Sequence, residues 1–254
     1  LFRELFGVRG HVRALKAAIC RRTPNCERFN KRCNFPKTGE SLIMIFASRQ
    51  DAGQQLAKFL RKRGVAADLV LGLPRGGVVV AAEVARGLKL PLDVLVVRKI
   101  GHPSQREFAM GALAEPDIVL LNEESLLEFP ATQTELDEII EEEKIRLRDY
   151  RRRFHLSEMP PLESKIILLV DDGLATGATA EVGAISLRRQ NAKKILIAAP
   201  VASPQTVERL RRVADEILVL FEDFDFQAVG QYYENFSQTG DEEVVELLRA
   251  AKSV

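Results

Sequence analysis

The sequence predicts a three-layer α/β sandwich built on a mostly parallel sheet. Six short strand-like runs recur along it: DLVLGL (68–73), LDVLVVR (92–98), DIVLL (117–121), KIILLVDD (165–172), KILIAAP (194–200) and EILVLF (216–221). Most are apolar at every position instead of every second one, a pattern that belongs to strands covered on both faces. The gaps between them carry helical signals, and strands alternating with helices give βαβ units. A chain of 254 residues buries one substantial core, so a single domain with attachments is expected over two equal domains.

Residues 1–43 differ in texture from the remainder of the chain. They are basic, hold all three cysteines (Cys20, Cys26 and Cys33), and lack sustained periodicity beyond a short amphipathic stretch over Arg3–Ile19. Met44 is a candidate start, so this extension is expected to be a flexible arm or an upstream-translation artefact, with the domain proper over 44–254. The cysteine spacings are wider than those that open a tetrahedral zinc site, and the only nearby histidine is His11, which argues against a metal there.

The domain opens with an amphipathic helix from Arg49 to Arg63, its Ala52, Leu56, Phe59 and Leu60 sharing one face. Strand 68–73 runs into Pro74-Arg75-Gly76-Gly77 and a helix over 77–87, which Gly87 is expected to end. Strands 92–98 and 117–121 follow, separated in part by a polar run, Gly101–Glu107. The segment TELDEIIEEEKIRLRDYRRRF (134–154) is acidic first and basic last. That polarity suits the helix dipole and i,i+4 ion pairs, so it reads as a long, solvated helix inserted between strands. Strand 165–172 leads into a helix over 178–190, strand 194–200 into one over 204–213 behind Pro204, and strand 216–221 into an aromatic tail. A terminal helix over 241–252 opens at Asp241.

Thirty-seven basic residues against thirty-six acidic ones remove the bulk electrostatic argument for a nucleic-acid or membrane-surface binder. The basic run Arg151–Arg153 reads as a solvated face. No apolar run reaches the length of a membrane span, and the first residues are too interrupted by Arg and Lys for a signal peptide. A cytoplasmic protein is expected.

The chemistry concentrates in ILLVDDGLATGAT (167–179). In an open parallel sheet, ligands gather beyond the carboxyl ends of the strands, and residues 171–179 fall there. Small side chains let the amides of Ala175, Thr176, Gly177, Ala178 and Thr179 approach an anion, and the helix behind them adds roughly half a positive charge. Carboxylates would repel a phosphate, so Asp171 and Asp172 must face something neutral or cationic, such as sugar hydroxyls or a hydrated divalent metal. Phosphate plus vicinal diol suggests a ribose 5-phosphate. The spacing is neither a Walker A motif nor G-x-G-x-x-G.

ILLVDDGLATGAT resembles the ribose-phosphate signature of type I phosphoribosyltransferases: four apolar residues, two acids, then a Thr-Gly-x-Thr loop. GLPRGGVVVAAEVA (72–85) resembles the family's pyrophosphate loop, in which Gly76 and Gly77 would permit unusual torsions that turn amides inward while Arg75 supplies charge. Arg98 and Lys99 stand where the family places basic residues near the pyrophosphate, and Gly101–Glu107 resembles its flexible loop, whose closure excludes water. FDFQAVGQYYENFSQTGDEEV (224–244) resembles the small C-terminal hood of a bacterial group of predicted phosphoribosyltransferases of undefined acceptor, sometimes joined to hydrolase-like domains. Its aromatics would stack on a base or pack the hood onto the core. The resemblance covers 44–254.

The resemblance implies displacement of pyrophosphate from C1 of 5-phosphoribosyl 1-diphosphate (PRPP) by a ring nitrogen of a nitrogenous acceptor. Mg²⁺ would be held mainly by the donor's own oxygens, with Arg75, Lys99 and loop amides stabilising the departing pyrophosphate. Asp171 and Asp172 would fix the ribose hydroxyls, and a homodimer is expected by family analogy. Members acting on 6-oxopurines carry an acid three residues beyond the pair, where this chain has Ala175. The wording DDGLATGAT and RKIGHP is nearer adenine phosphoribosyltransferases, whose loop acid would fall at Ala109; Glu107 is the nearby acid. Two other functions fit the same residues: a regulator that senses PRPP and uses a basic arm from Lys16 to Lys37, and a phosphosugar hydrolase.

Overall fold

The computed structural model describes residues 45–106, 108–155 and 160–252; the extension over 1–43, with its cysteines, lies outside them. In chain order the elements are α1 (Arg49–Lys62), β1 (Leu69–Gly72), α2 (Gly76–Leu88), β2 (Leu92–Val94), β3 (Val97–Gly101), β4 (Ala109–Ala114), β5 (Ile118–Leu121), α3 (Glu123–Glu128), α4 (Gln133–Phe154), β6 (Ile166–Val170), α5 (Ala178–Arg189), β7 (Lys194–Ala202), α6 (Pro204–Leu210), β8 (Glu216–Glu222), a 3-10 turn (Val229–Tyr232) and α7 (Asp241–Lys252).

Five strands form one sheet in the order β2-β1-β6-β7-β8, every neighbouring pair parallel. Alternate residues serve opposite layers. Val70, Leu168, Val170, Leu196 and Leu218 join a core with α1, α2, α4 and α7. Leu69, Leu71, Ile167, Leu169, Ile195 and Ile197 join a second core with α5 and α6. Leu168 and Leu169 are wholly buried on opposite faces, each stabilising the fold by about 1.5–3 kcal/mol. The sandwich expected from two-sided apolar strands is thus the observed one.

The run 92–98 does not form one strand. Leu92–Val94 pairs with β1, whereas Val97 begins a separate antiparallel sheet, β3-β4-β5. At the break the buried Glu115 carboxylate accepts the Val96 amide at 2.7 Å, and the Glu115 amide donates to the Val96 carbonyl. Both sheets bury this run on both faces, so apolar character alone could not reveal the change of sheet. Strand β4, AMGALA, escaped sequence reading because Ala and Gly carry little strand preference.

Two helix readings need correction. Helix α2 continues through Gly87 and ends with Lys89 in the left-handed conformation; Gly87 is there because a Cβ would lie 2.6 Å from the Cβ of Ala57. Helix α4 is not solvated all round. A capping box between Thr132 and Glu135 starts it, and Leu136, Ile139, Glu143, Leu147 and Phe154 form a buried stripe. On α1 the buried face is Ala52, Gly53, Leu56, Ala57 and Leu60, with Phe59 at its half-buried margin.

The chain leaves β1 towards β2 on one side, and β6 lies on β1's other side. The strand order therefore reverses between β1 and β6, and at such a point a crevice opens beyond the carboxyl ends.

Candidate active site

Strands β1 and β6 end level. Gly72 stands opposite Val170, and the Leu73 amide donates to the Val170 carbonyl at 2.9 Å. The two segments that follow, Pro74–Gly77 and Asp171–Thr179, are thus forced together. A Cβ on Gly76 would lie 2.1 Å from Oδ2 of Asp172, and one on Gly77 would lie 2.8 Å from Oδ1 of Asp171. Neither glycine adopts a left-handed φ; both open helix α2. The torsional freedom expected for them is therefore not what the fold uses. They are glycines because the carboxylates pass so close.

The acid pair is half-buried. Oδ1 of Asp171 accepts the Asp172 amide at 2.8 Å. Burial, and after it the charge of Asp172, pushes the Asp171 carboxyl well above the usual carboxylate range. Asp172 meets a cation that sequence reading missed: Nε of Arg49 donates to Oδ2 at 2.7 Å. Arg49 opens α1, donates from Nη1 to the Ser237 carbonyl at 2.7 Å, and lies 3.8 Å from the ring centre of Phe236. No motif in the sequence marks it, since its partners are 123 and 188 residues away. The Tyr233 hydroxyl donates to the Asp172 carbonyl at 2.6 Å. Burial, with the charge of Asp172 behind it, holds that phenol far above its ordinary pKa.

Beyond the acids, Leu174 pairs with Ala202 and the chain turns into α5 through Gly177, which has φ +67°. Helix α6 grips this turn. Thr206 donates its hydroxyl to the Ala175 carbonyl and Arg209 donates to the Thr176 carbonyl. In a trans peptide the amide points opposite its carbonyl, so the Thr176 and Gly177 amides face away from α6. Gly177 gives α5 no side-chain cap, so the first-turn donors of α5 lack that means of satisfaction. Ala178 donates to Oγ1 of Thr176 at a long 3.5 Å, and Thr176 and Thr179 are exposed. The result is an outward-facing set of donors at a helix N-terminus, an anion-binding arrangement.

A family model described as "Phosphoribosyl transferase domain" matches residues 45–234, well over half of the chain. The chain belongs to the type I phosphoribosyltransferase family. It is 43% identical over 210 residues to "Putative phosphoribosyl transferase MT0597" and "Putative phosphoribosyl transferase Rv0571c" of two Mycobacterium tuberculosis strains; the match covers 82% of this chain and 47% of each relative. The chain thus spans about half the length of these relatives. The crystal structure of TT1426 from Thermus thermophilus is 41% identical, with TM-score 0.67, covering 81% of this chain and 98% of that one.

The remaining expected residues are more dispersed. Arg75 is half-buried in the loop between β1 and α2, its preceding peptide cis, and it meets Asp241 of α7 at 3.8 Å. Arg98 donates to Glu143 of α4 at 2.9 Å and lies over Tyr150, so its charge is spent on the long helix. Lys99 is exposed on β3 opposite Ala112. Of the run Gly101–Glu107, Gly101 ends β3 and residues 102–106 follow it, and the His102 amide donates to the Phe108 carbonyl ahead of β4; Glu107 itself lies outside the described residues. Arg151 and Arg153 pair with Glu115 and Asp241. In the hood, Tyr232 and Tyr233 are buried with Phe46 and Phe226 stacks on Tyr232. Phe224 stays exposed. Packing onto the core, one of the two roles expected for these aromatics, is the one observed for Phe226, Tyr232 and Tyr233.

Proposed function

We propose that this chain transfers the 5-phosphoribosyl group from PRPP to a nitrogenous acceptor, releasing pyrophosphate, as part of nucleotide metabolism. The observation that carries the reading is the contact of Gly76 and Gly77 with Asp171 and Asp172, one turn away from the donor set of Thr176–Thr179. Two motifs nearly a hundred residues apart become one crevice with an anion cradle at one end, carboxylates in the middle and Arg75 at the other.

Each residue then has a task. The amides of Ala175, Thr176, Gly177, Ala178 and Thr179 hold the 5-phosphate. Asp171 and Asp172 accept hydrogen bonds from the ribose hydroxyls and stand near the positive charge that develops at C1. Arg75, the amides of Gly76 and Gly77, and Lys99 stabilise the departing diphosphate, with Arg98 beside Lys99 on β3. The loop between β3 and β4 closes over the donor and excludes water, which would otherwise hydrolyse it, and Glu107 is the acid in that loop's sequence. The carboxylates beside the Arg75–Gly77 loop are hard oxygen donors and fit a magnesium ion bound chiefly through the donor. Magnesium, when bound, supplies neutralising charge to the diphosphate. A cytoplasmic setting and a homodimer accompany the proposal by family analogy. Among the described residues no helix is long and apolar enough to cross a membrane.

The test is incubation with Mg²⁺ and PRPP against a panel of nitrogenous bases while pyrophosphate is followed. Release with one base supports transfer. Binding of PRPP without release for any base would replace the transferase with a PRPP sensor, and release of free phosphate would indicate a hydrolase.

A further inference from the structure

One residue that the family resemblance did not point to links the acid pair to the hood. Arg49 contacts the acid pair through Asp172 and the hood through Ser237 and Phe236. It also borders the pyrophosphate-type loop, since a Cβ on Gly76 would come within 2.6 Å of its Nε. Its side chain is 11% exposed. We propose that Arg49 is a diphosphate ligand of the donor, exchanging Asp172 for diphosphate oxygens when PRPP binds. The inference rests on the phosphoribosyl reading above and adds a residue to it.

The chemistry of the exchange decides the direction. Asp172, at 15% exposed, and Arg49 form a largely buried ion pair, and separating such a pair without replacement leaves an uncompensated charge, which is strongly destabilising. A donor that brings hydroxyls and diphosphate replaces both partners at once: the hydroxyls satisfy Asp172, and the diphosphate satisfies the guanidinium. A neutral ligand or a bare sugar offers only the first half. Position selects diphosphate over the 5-phosphate. Arg49 borders Gly76 at the start of α2, whereas the cradle at Thr176–Thr179 is held from α6 by Thr206 and Arg209. The guanidinium fork also matches diphosphate geometry, and its stacking on Phe236 orients it.

The test is calorimetric titration of the full chain with magnesium pyrophosphate, ribose 5-phosphate and magnesium PRPP, for the wild type, Arg49→Met and Arg49→Lys. Arg49→Met is expected to weaken pyrophosphate and PRPP by about tenfold or more, the worth of a charged hydrogen bond, and to leave ribose 5-phosphate affinity nearly unchanged. Arg49→Lys keeps the charge without the fork and should fall between, and it carries the same comparison if Arg49→Met does not fold. Equal weakening of pyrophosphate and ribose 5-phosphate would make Arg49 a structural strut and overturn the proposal. Unchanged pyrophosphate binding would overturn it too. A wild type that binds neither sugar ligand overturns the phosphoribosyl reading itself; a wild type that binds all three, with Arg49→Met indistinguishable, removes only the role given to Arg49.

Discussion

Protonation of His155 is expected to set the alkaline limit of stability. This residue caps the end of α4, and its side chain is 12% exposed. Its Nε2 lies 2.8 Å from Oε2 of Glu115 and its Nδ1 3.4 Å from Oδ1 of Asp93. Arg151 also meets Glu115, at 3.0 Å, so the cluster is neutral only when the imidazole carries its proton. Burial alone would lower the pKa, but the two acids flanking the ring, Asp93 and Glu115, outweigh it and raise it from 6.5 to about 9. A pKa raised on folding gives stability that is complete below the unfolded value and lost as pH rises through the folded one. At about 1.4 kcal/mol per pKa unit, reduced by solvent at the ring's open edge, the contribution is about 2–3 kcal/mol, disappearing between about pH 6.5 and 9. Urea unfolding of the wild type and His155→Gln at a series of pH values measures it. The variant should be destabilised at pH 6.5, and the gap between the two proteins should close by alkaline pH. Parallel pH profiles would refute the assignment of the proton to this cluster.

Other outcomes follow from the same geometry. Gly76→Ala places a methyl on Asp172 and Arg49 and should weaken PRPP binding by about tenfold or more, on the scale of one lost charged hydrogen bond, and lower stability by about 1–3 kcal/mol because the buried pair must shift; binding calorimetry and thermal melts report the two effects separately. Gly177→Ala faces both φ +67° and a Cβ 2.5 Å from Cγ2 of Thr206, so a loss of about 1–3 kcal/mol is expected in chemical denaturation. Neutralising both acids, Asp171→Asn with Asp172→Asn, should abolish detectable PRPP binding, and retained affinity would remove the acid pair from the donor site.

The parallel sheet was legible because its strands are apolar at consecutive positions, as Ile167–Val170 shows, and because Pro204 and Asp241 mark the starts of helices. The antiparallel sheet was not, since Val94–Val97 stays apolar across a change of partner and Ala109–Ala114 has little strand character. At the site, the acid pair and the Thr176–Thr179 loop were readable as a contiguous motif. Gly76 and Gly77 were found for a different reason from the one the packing supplies. Arg49 was invisible, because a lone arginine at a helix start acquires meaning only once Asp172, Ser237 and Phe236 are folded around it. Arg98 stood in a suggestive place, but Glu143 claims it across 45 residues.

Phe46 pairs with Tyr233, and Glu234 and Asn235 donate to the carbonyls of Phe46 and Ala47. The earliest described residues are thereby stitched to the segment whose tyrosine holds the Asp172 carbonyl. Any displacement of Phe46 would therefore be felt by the Asp172 backbone by way of Tyr233. Removing Phe46 would do more than empty a buried site: it would take away the ring and the backbone partner against which Tyr233 is set.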